Sequence, residues 1–422
     1  MPRPTTAPLF VAPPVAMALP PKPTTYRREP TACAAHILDG MTREERRVIL
    51  CKGQIDMTDL VLAGATIVGP SHVTVSAWEI DEDDVLALGA AVKDGRILSL
   101  QLVTEPGVRR EGKTWEKARA AFGEERVLFQ ATHAKIATLE TADGWALVIR
   151  GSMNMRRQRV IEQLEVEHSP EICAAWRAYV ADPQFKAKFP GADAPELGRA
   201  ALAKMPAGGR LFGLIRGFSA IDLLRAALDR VGPADVEIIG FKLGEAEARE
   251  LAGLAAAGRI KDLRVLVSPA FIAQNPGPAK EVERAIGADR CKLAWSHGRF
   301  FVVRGADRAV VVHSSANLNR NPRCEQYDAS EEPETVAFFS RLHLEIWAQT
   351  PDGIHTPRPQ IVDVLRGLLV DQTAPNGEPP PPPLELPPQT PEKSLMVMGS
   401  RLAHLDAPIN LAAYAADPPL SL

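Results

Sequence analysis

The sequence contains two related copies of one pattern, and this duplication constrains the fold more than any other feature. Three short segments recur 163 positions later in the chain: Asp59-Leu60 as Asp222-Leu223, Gly69-Pro70 as Gly232-Pro233, and Gly95-Arg96-Ile97 as Gly258-Arg259-Ile260. Because the spacing and the residue types both agree, we interpret the repeat as a duplicated structural unit. The chain is therefore expected to fold as two copies of one unit.

Helix and strand patterns alternate within the first copy. The predicted helices cover residues 42–51, 59–68, 81–92 and 156–165, and the predicted strands cover residues 72–78 and 97–103. Alternating strands and helices are typical of a mixed sheet with helices on its faces. We therefore predict the α/β fold class, with two pseudo-twofold-related α/β/α units that each contain a mixed β-sheet.

Composition divides the 422 residues into five segments. Proline-rich stretches at both ends predict disordered arms, because proline removes backbone donors and fixes φ. A stretch of small residues with proline and glycine in the middle of the chain predicts a linker. The predicted segments are an arm over residues 1–31, a first unit over 32–189, a linker over 190–209, a second unit over 210–370 and a tail over 371–422.

Charge and cysteine content exclude several classes of protein. The formal net charge is −3 and the pI is near 6.3, so any binding of a polyanion requires a local patch and not the whole surface. The cysteines are odd in number and form no CxxC pair, which argues against a zinc site or a disulfide framework. No apolar run has transmembrane length. These features predict a cytoplasmic protein without stable membrane association.

The first copy contains a predicted hairpin that carries chemically useful side chains. His133 and Lys135 are two residues apart, so on a strand they point to the same face. Asp143-Gly144 is a strong hairpin turn signal, and the return strand ends in Gly151-Ser152-Met153-Asn154. The hairpin is therefore expected to bring an imidazole, an ammonium, a hydroxyl and a carboxamide to one rim.

The second copy repeats this arrangement. His297 and Arg299 again share a face, Asp307 again lies in the predicted turn, and Ser315 and Asn317 end the return strand. Ten positions separate each histidine from its aspartate in both copies. Such a set of groups suits a phosphate ester, because it offers a neutral nucleophile, a cation and polar groups that hydrogen-bond phosphate oxygens.

The two motifs resemble the signature of the phospholipase D superfamily, in which HxK, an acid and GSxN occur once in each half of a pseudo-twofold protein. The likeness covers about residues 42–345, and Arg299 and Ser314 depart from it where the family has lysine and glycine. This resemblance implies phosphodiester transfer through a phosphohistidine intermediate, with no metal and no cofactor.

The resemblance also implies a role for each motif residue. It makes His133 the nucleophile and His297 the general acid, although the opposite assignment is also compatible with the sequence. Lys135 and Arg299 are expected to bind phosphate oxygens, and four polar residues are expected to hydrogen-bond the phosphate or each other: Ser152, Asn154, Ser315 and Asn317. Glu165 and Asp328 stand where the family's downstream acids orient the opposing histidine through its other ring nitrogen, so we predict that role for them.

Basic residues close to the motifs favour a nuclease as the first hypothesis for function. A nuclease needs cations along the phosphate backbone, and the candidates are Arg156, Arg157, Arg159, Arg320 and Arg323. A phospholipid phosphodiesterase or transferase is an alternative, although the sequence has no apparent apolar interfacial helix. Arg299 motivates a third hypothesis, a catalytically weak protein that binds nucleic acid or supports an assembly.

Duplication also bears on partners. Two motifs in one chain suffice for one active site, so the sequence requires no oligomer and is equally compatible with a dimer. The run of five prolines in the tail favours polyproline II, which serves either as a linker or as a ligand for a protein partner.

Overall fold

The computed structural model describes residues 15–29, 33–51, 55–105, 113–158, 160–182, 200, 202–217, 219–274, 276–319 and 323–353. The predicted tail over residues 371–422 lies outside this part of the chain. None of the helices in the described part has both the length and the apolar composition of a membrane span.

The strands form two sheets of eight. The first strand of the described chain is β1 Val15–Leu19. The eight strands that follow belong to the first half: β2 Thr24–Glu29, β3 Arg46–Cys51, β4 Ser71–Ala77, β5 Ile97–Thr104, β6 Val127–Phe129, β7 Ile136–Thr141, β8 Ala146–Gly151 and β9 Glu162–His168. The second half contains β10 Arg210–Arg216, β11 Ala234–Gly240, β12 Ile260–Val267, β13 Cys291–Leu293, β14 Phe300–Arg304, β15 Ala309–Ser314 and β16 Cys324–Ser330.

Helices cover both faces of each sheet. In the first half they are α1 Ala34–Leu38, α2 Met57–Val68, α3 Glu82–Lys93, α4 Lys113–Phe122 and α5 Pro170–Ala181. In the second half they are α6 Ala220–Val231, α7 Glu245–Ala256, α8 Pro269–Gln274, α9 Pro276–Ile286 and α10 Pro333–Gln349.

The two sheets have equivalent strand orders, which confirms the predicted fold class. One sheet runs β2-β3-β9-β8-β7-β4-β5-β6 and the other runs β1-β10-β16-β15-β14-β11-β12-β13. In both, the strands at one end are parallel and those in the middle are antiparallel, so both sheets are mixed. We call the halves the first unit and the second unit.

The repeated aspartates and glycines mark helix ends. Asp59 and Asp56 form a reciprocal capping box at the start of α2, and Asp222 and Ser219 do the same for α6. Such a box satisfies backbone donors that have no partner inside the helix. The repeat in the sequence is therefore a repeat of helix boundaries.

Two predicted helices are strands in the structure. Residues 42–51 contain β3, and residues 156–165 lead into β9. β3 is buried along its whole length, and β9 is buried except at His168. A strand that is covered on both faces loses the alternation of polar and apolar residues, and its continuous pattern resembles that of a buried helix.

The N-terminal segment also differs from the prediction. Residues 15–29 are not a disordered arm, because β1 pairs antiparallel with β10 of the second unit and β2 pairs parallel with β3 of the first unit. The segment thus adds an edge strand to each sheet and connects the two units. Its pattern gives little sign of this, because each strand is short and proline-flanked.

The described residues form four apolar clusters. Two of them lie on the outer helices, one in each unit. The other two combine residues of both units, around Trp176 of α5 and around Phe339 of α10. The predicted linker also contributes, because Leu202 and Met205 are buried in the second unit's outer cluster. The two sheets are therefore joined by shared cores, which fixes the position of groups at their interface.

Candidate active site

Both histidine motifs lie where one unit meets the other. The backbone nitrogen of His133 donates to the carbonyl of Cys324 at 2.7 Å, and that of His297 donates to the carbonyl of Ile161 at 2.8 Å. Each contact crosses from one unit to the other. Because the arrangement is reciprocal, the duplication places the two histidines at a single interface, as the sequence predicts.

Each imidazole is held by a buried glutamate of the opposite unit. His133 Nδ1 lies 2.9 Å from Glu325 Oε2, and His297 Nδ1 lies 2.9 Å from Glu162 Oε1. A carboxylate only accepts hydrogen bonds, so each Nδ1 donates and each neutral ring has its lone pair on Nε2. The acids that orient the histidines are thus Glu162 and Glu325, and the prediction of Glu165 and Asp328 is wrong.

The serines support these glutamates. The Ser152 hydroxyl donates to Glu162 and the Ser315 hydroxyl donates to Glu325, each within its own unit. Both hydroxyls are buried against these carboxylates, and the contact of Ser152 and Ser315 with a phosphate stays a prediction. Each serine therefore fixes the acid that fixes the opposite histidine.

A pair of glutamines makes the same reciprocal link through the backbone. The Gln326 side chain accepts from Lys135 N at 2.8 Å, and the Gln163 side chain accepts from Arg299 N at 2.9 Å. Sequence reasoning missed these residues and the two orienting acids. A signal was present, because Glu162-Gln163 recurs unchanged as Glu325-Gln326 at the 163-residue offset.

Glu165 and Asp328 belong to a buried network of charges. Arg150 donates to Asp328 at 2.9 Å and to Glu165 at 2.7 Å, while Arg46 and His313 also contact Glu165 at 3.1 and 2.8 Å. Although burial by itself raises the pKa of Glu165, the charges of Arg46, His313 and Arg150 hold that pKa well below its usual value. The network crosses the interface and positions the units.

Donor atoms of Glu165, His313 and Asp328 lie within 4.8 Å of one another, as they would around a metal ion. The guanidinium of Arg150 already satisfies both carboxylates at this place, and it is fully buried there. A cation between the acids makes this donor set unsuitable for a metal.

The two cations of the motifs are buried but arranged differently. Lys135 Nζ donates to the carbonyl oxygen of its neighbour His133 at 2.9 Å. Arg299 instead donates from Nη2 to the His297 ring at Nε2, over 2.6 Å, and from Nε to Asn317 Oδ1 over 2.9 Å. Arg299 Nη1 is buried and has no hydrogen-bond partner within the described structure.

Burial dominates the electrostatics of the site. The pKa of His133 is lowered to about 3, first by burial and then by the charges of Lys135 and Arg299, although Glu325 opposes this shift. The pKa of Lys135 is lowered to about 7, first by burial and then by Arg299. The pKa of His297 is also lowered, first by burial and then by Arg299. Both imidazoles are therefore neutral near pH 7 before an anion enters. Since Arg299 influences His133 and Lys135 of the other unit, the two motifs share one electrostatic environment.

Asn154 and Asn317 occupy equivalent positions with different partners. Asn154 Oδ1 accepts from the backbone nitrogen of Trp78 at 3.2 Å, whereas Asn317 Oδ1 accepts from Arg299. Asn154 thus contacts the backbone of the residue whose ring packs on His133, and Asn317 contacts the arginine that reaches the His297 ring. Their side-chain NH2 groups are the atoms that can donate to a phosphate oxygen.

An aromatic ring stands edge-on to each histidine. Trp78 contacts His133 with ring centroids 5.3 Å apart, and Phe241 contacts His297 at the same separation. The two aromatic residues are 163 positions apart, so the repeat could have identified them. Each ring packs against the imidazole of its own unit.

The arginines proposed for nucleic-acid binding are largely paired with acids. Arg157 contacts Asp59 at 2.9 Å, Arg156 lies 3.5 Å from Glu79, and Arg323 donates to Glu105 at 3.1 Å. Arg159 and Arg320 lie outside the described residues. Arg323 also lies 4.1 Å from the centre of the Trp78 ring, which places it beside the aromatic neighbour of His133.

Comparison with known proteins gives a likeness of fold. No protein-family model and no curated protein matches the sequence. Polyphosphate kinase from Porphyromonas gingivalis is similar over 81% of this chain and 58% of its own, with TM-score 0.50 and 13% identity. Yeast tyrosyl-DNA phosphodiesterase is similar over 62% of this chain and 83% of its own, with TM-score 0.38 and 8% identity. The chain has two α/β units of a phospholipase D-like fold.

Proposed function

We propose that the protein is a phosphodiesterase that transfers the phosphoryl group of a nucleic acid through His133 to water. The observation that carries this proposal is the reciprocal pair of histidines, each held at Nδ1 by a buried glutamate of the opposite unit. Because Nδ1 of each imidazole is held by a glutamate, Nε2 is the nitrogen through which each ring can react. The pair suits a reaction that needs a nucleophile on one side of phosphorus and a proton donor on the other.

His133 is assigned as the nucleophile because its Nε2 takes part in no hydrogen bond of the described structure, and burial keeps the ring neutral. In the first step, His133 Nε2 forms a bond to phosphorus while the bond from phosphorus to the leaving oxygen breaks. A protonated His297 gives its Nε2 proton to that oxygen. The product is a phosphohistidine and a free hydroxyl.

In the second step, water attacks phosphorus and the bond to His133 breaks. The neutral His297 Nε2 takes the proton from that water, so both histidines return to their starting forms. Charge on the equatorial oxygens is compensated by Lys135 and Arg299, whose burial strengthens their interaction with an anion. The chain thus supplies its own cations, which supports activity in the presence of a chelator.

Trp78 and Arg323 support nucleic acid as the substrate. Their stacked pair lies next to His133, and an aromatic ring with a guanidinium over it is a surface on which a nucleobase stacks. The paired arginines argue against a long track along duplex DNA. Single-stranded DNA or RNA is therefore the proposed substrate class.

A cleavage panel in EDTA tests the proposal. Its members are single-stranded DNA, duplex DNA, RNA, phosphatidylcholine, and inorganic polyphosphate with a nucleotide acceptor. We expect cleavage of a single-stranded nucleic acid that His133→Ala abolishes and that His72→Ala, at an exposed strand position, leaves unchanged. Activity on phosphatidylcholine or polyphosphate alone would replace the substrate assignment. Activity that survives His133→Ala would end the proposal.

A further inference from the structure

The cations of the two motifs contact different parts of their histidines. Lys135 in the first unit reaches the backbone of His133 and leaves its ring nitrogen alone. Arg299 in the second unit reaches the ring of His297 itself, at 2.6 Å. A guanidinium has donors and no acceptor, so His297 Nε2 is the acceptor in this contact. The second histidine therefore has a partner on both of its nitrogens.

This double engagement has a chemical consequence. His297 donates from Nδ1 to Glu162 and accepts at Nε2 from Arg299. A general acid at this position needs a proton on Nε2, and the guanidinium occupies the direction in which that proton would lie. While the contact lasts, His297 can neither give a proton to a leaving group nor accept one from water.

We propose that Arg299 is a positioning residue that keeps His297 inactive in the free protein and releases it when a phosphate anion binds. The inference rests on the proposed function, since it concerns the proton donor of that reaction. Arg299 thus has a second role besides binding phosphate. Lys135, at the equivalent position in the first unit, makes no such contact with the ring of His133.

The unused donor of Arg299 explains why an anion would move it. Nη1 is buried with no partner in the described residues, and leaving a charged donor unsatisfied in this way is costly. A phosphate offers two oxygens in the geometry that a guanidinium binds with two parallel hydrogen bonds. Binding would therefore satisfy Nη1 and draw Nη2 away from the histidine.

Binding of the phosphate also allows His297 Nε2 to take up the proton that the reaction needs. The groups that face His297 are Glu162 from β9, Arg299 from its own motif, Lys135 from the opposite motif, and the ring of Phe241. Bound phosphate adds negative charge near both cations and relieves their repulsion of an imidazolium. Nε2 then takes a proton from solvent and holds it for the leaving oxygen, while Arg299 keeps all of its own protons.

The pH dependence of catalysis distinguishes this role from a structural one. In the wild-type protein, the basic limb of kcat/KM, which reports free His297, is expected to lie below that of kcat, which reports the complex. In Arg299→Lys the two limbs should converge, with the kcat/KM limb rising by roughly one pH unit or more as the direct cation contact is lost. Limbs that keep the wild-type separation in Arg299→Lys would overturn the inference.

Lys135→Arg is the matched control, because it makes the opposite exchange in the first unit. It is expected to lower kcat/KM while leaving the separation of the two limbs as in the wild-type protein. If the separation changes in Lys135→Arg and not in Arg299→Lys, the role of Arg299 is refuted.

A measurement on the wild-type protein keeps the inference testable if Arg299→Lys does not fold. Histidine ring 15N resonances are recorded while sodium tungstate, a tetrahedral oxyanion, is added. We expect His297 Nε2 to change from an unprotonated acceptor to a protonated nitrogen as tungstate saturates. Tungstate binding without this change overturns the inference and leaves the proposed function standing, whereas a failure of tungstate to bind at the site counts against both.

Discussion

The first and second units have the same strand order but differ in the side chains that meet at their interface. Lys135 in one corresponds to Arg299 in the other, Trp78 to Phe241, and Arg150 to His313. The orienting glutamates and their serines, by contrast, are identical in both units. The comparison teaches that the duplication preserves what holds each imidazole, while the groups around the imidazoles give the two histidines unequal roles.

The buried charge network shows the same inequality. Arg150 of the first unit contacts acids of both units, whereas its counterpart His313 contacts Glu165 and stacks on Phe339. A permanent cation on one side and an imidazole on the other cannot be exchanged by the pseudo-twofold axis. The interface is therefore directional in its structure as well as in its proposed chemistry.

Replacement of each histidine by alanine should reveal the largest difference in activity between the two units. On bis(p-nitrophenyl) phosphate, His133→Ala should lose activity on the order of 10⁴-fold, because no other nucleophile replaces it. His297→Ala should still release about one equivalent of nitrophenol in a burst, since this leaving group needs no acid, and then stall before hydrolysis. Stopped-flow absorbance measures both variants.

The unequal roles would be contradicted by a burst in His133→Ala. Equal losses in both variants on this activated substrate would likewise show that the histidines are interchangeable.

The acids around the interface should separate into two kinds. Glu162→Gln and Glu325→Gln should lower kcat about 10²-fold or more, because an amide does not hold the required tautomer of the imidazole. Glu165→Gln and Asp328→Asn should instead lower the free energy of unfolding by about 3–5 kcal/mol, because each leaves Arg150 partly unpaired in a buried site. Kinetics and urea unfolding are measured on all four variants.

A stable Glu165→Gln protein whose kcat falls as far as that of Glu162→Gln would restore a catalytic role to Glu165. Such a result would also remove the distinction between the orienting pair and the structural network.

A smaller effect tests a buried histidine that only the second unit has. His343 in α10 corresponds to Val180 in α5, and burial lowers the pKa of His343 to about 3. Since the unfolded chain protonates near pH 6.5, stability is present above that pH and is lost as pH falls. Between pH 7.5 and pH 5 the wild-type protein should lose about 2 kcal/mol more than His343→Val.

Urea unfolding at the two pH values measures this difference. An equal loss in both proteins would show that the pKa of His343 is the same in the folded and the unfolded chain.

The sequence predicts the fold from spacing. First-turn aspartates of two helices, Asp59 and Asp222, repeat at the same offset as the turn residues, so two α/β units follow without knowledge of packing. What the sequence does not show is which strands are covered on both faces. β3 and β9 are neighbours inside one sheet, and because they are buried they lack the alternation of polar and apolar residues that marks a strand.

The sequence predicts the histidines and cations of the candidate site but not the acids that orient the histidines. The histidines and cations are brought together as the motifs suggest, but the orienting acids lie three positions before the predicted ones. On β9, Glu162 reaches the imidazole of the opposite unit, whereas Glu165 faces the other way into the arginines. The direction of a side chain on a buried strand depends on the register of that strand against its neighbours in the sheet. Register is set by the pairing of two strands, so the sequence of one strand does not reveal it.

Trapping of the phosphohistidine intermediate tests directly whether His133 is the nucleophile. The protein is mixed with a cleavable phosphodiester in EDTA, quenched in alkali within milliseconds, digested and analysed by mass spectrometry. We expect an acid-labile phosphoryl adduct on the peptide that contains His133, and this adduct should be absent in His133→Ala. An adduct on His297, or rapid product formation with no adduct on either histidine, would contradict it.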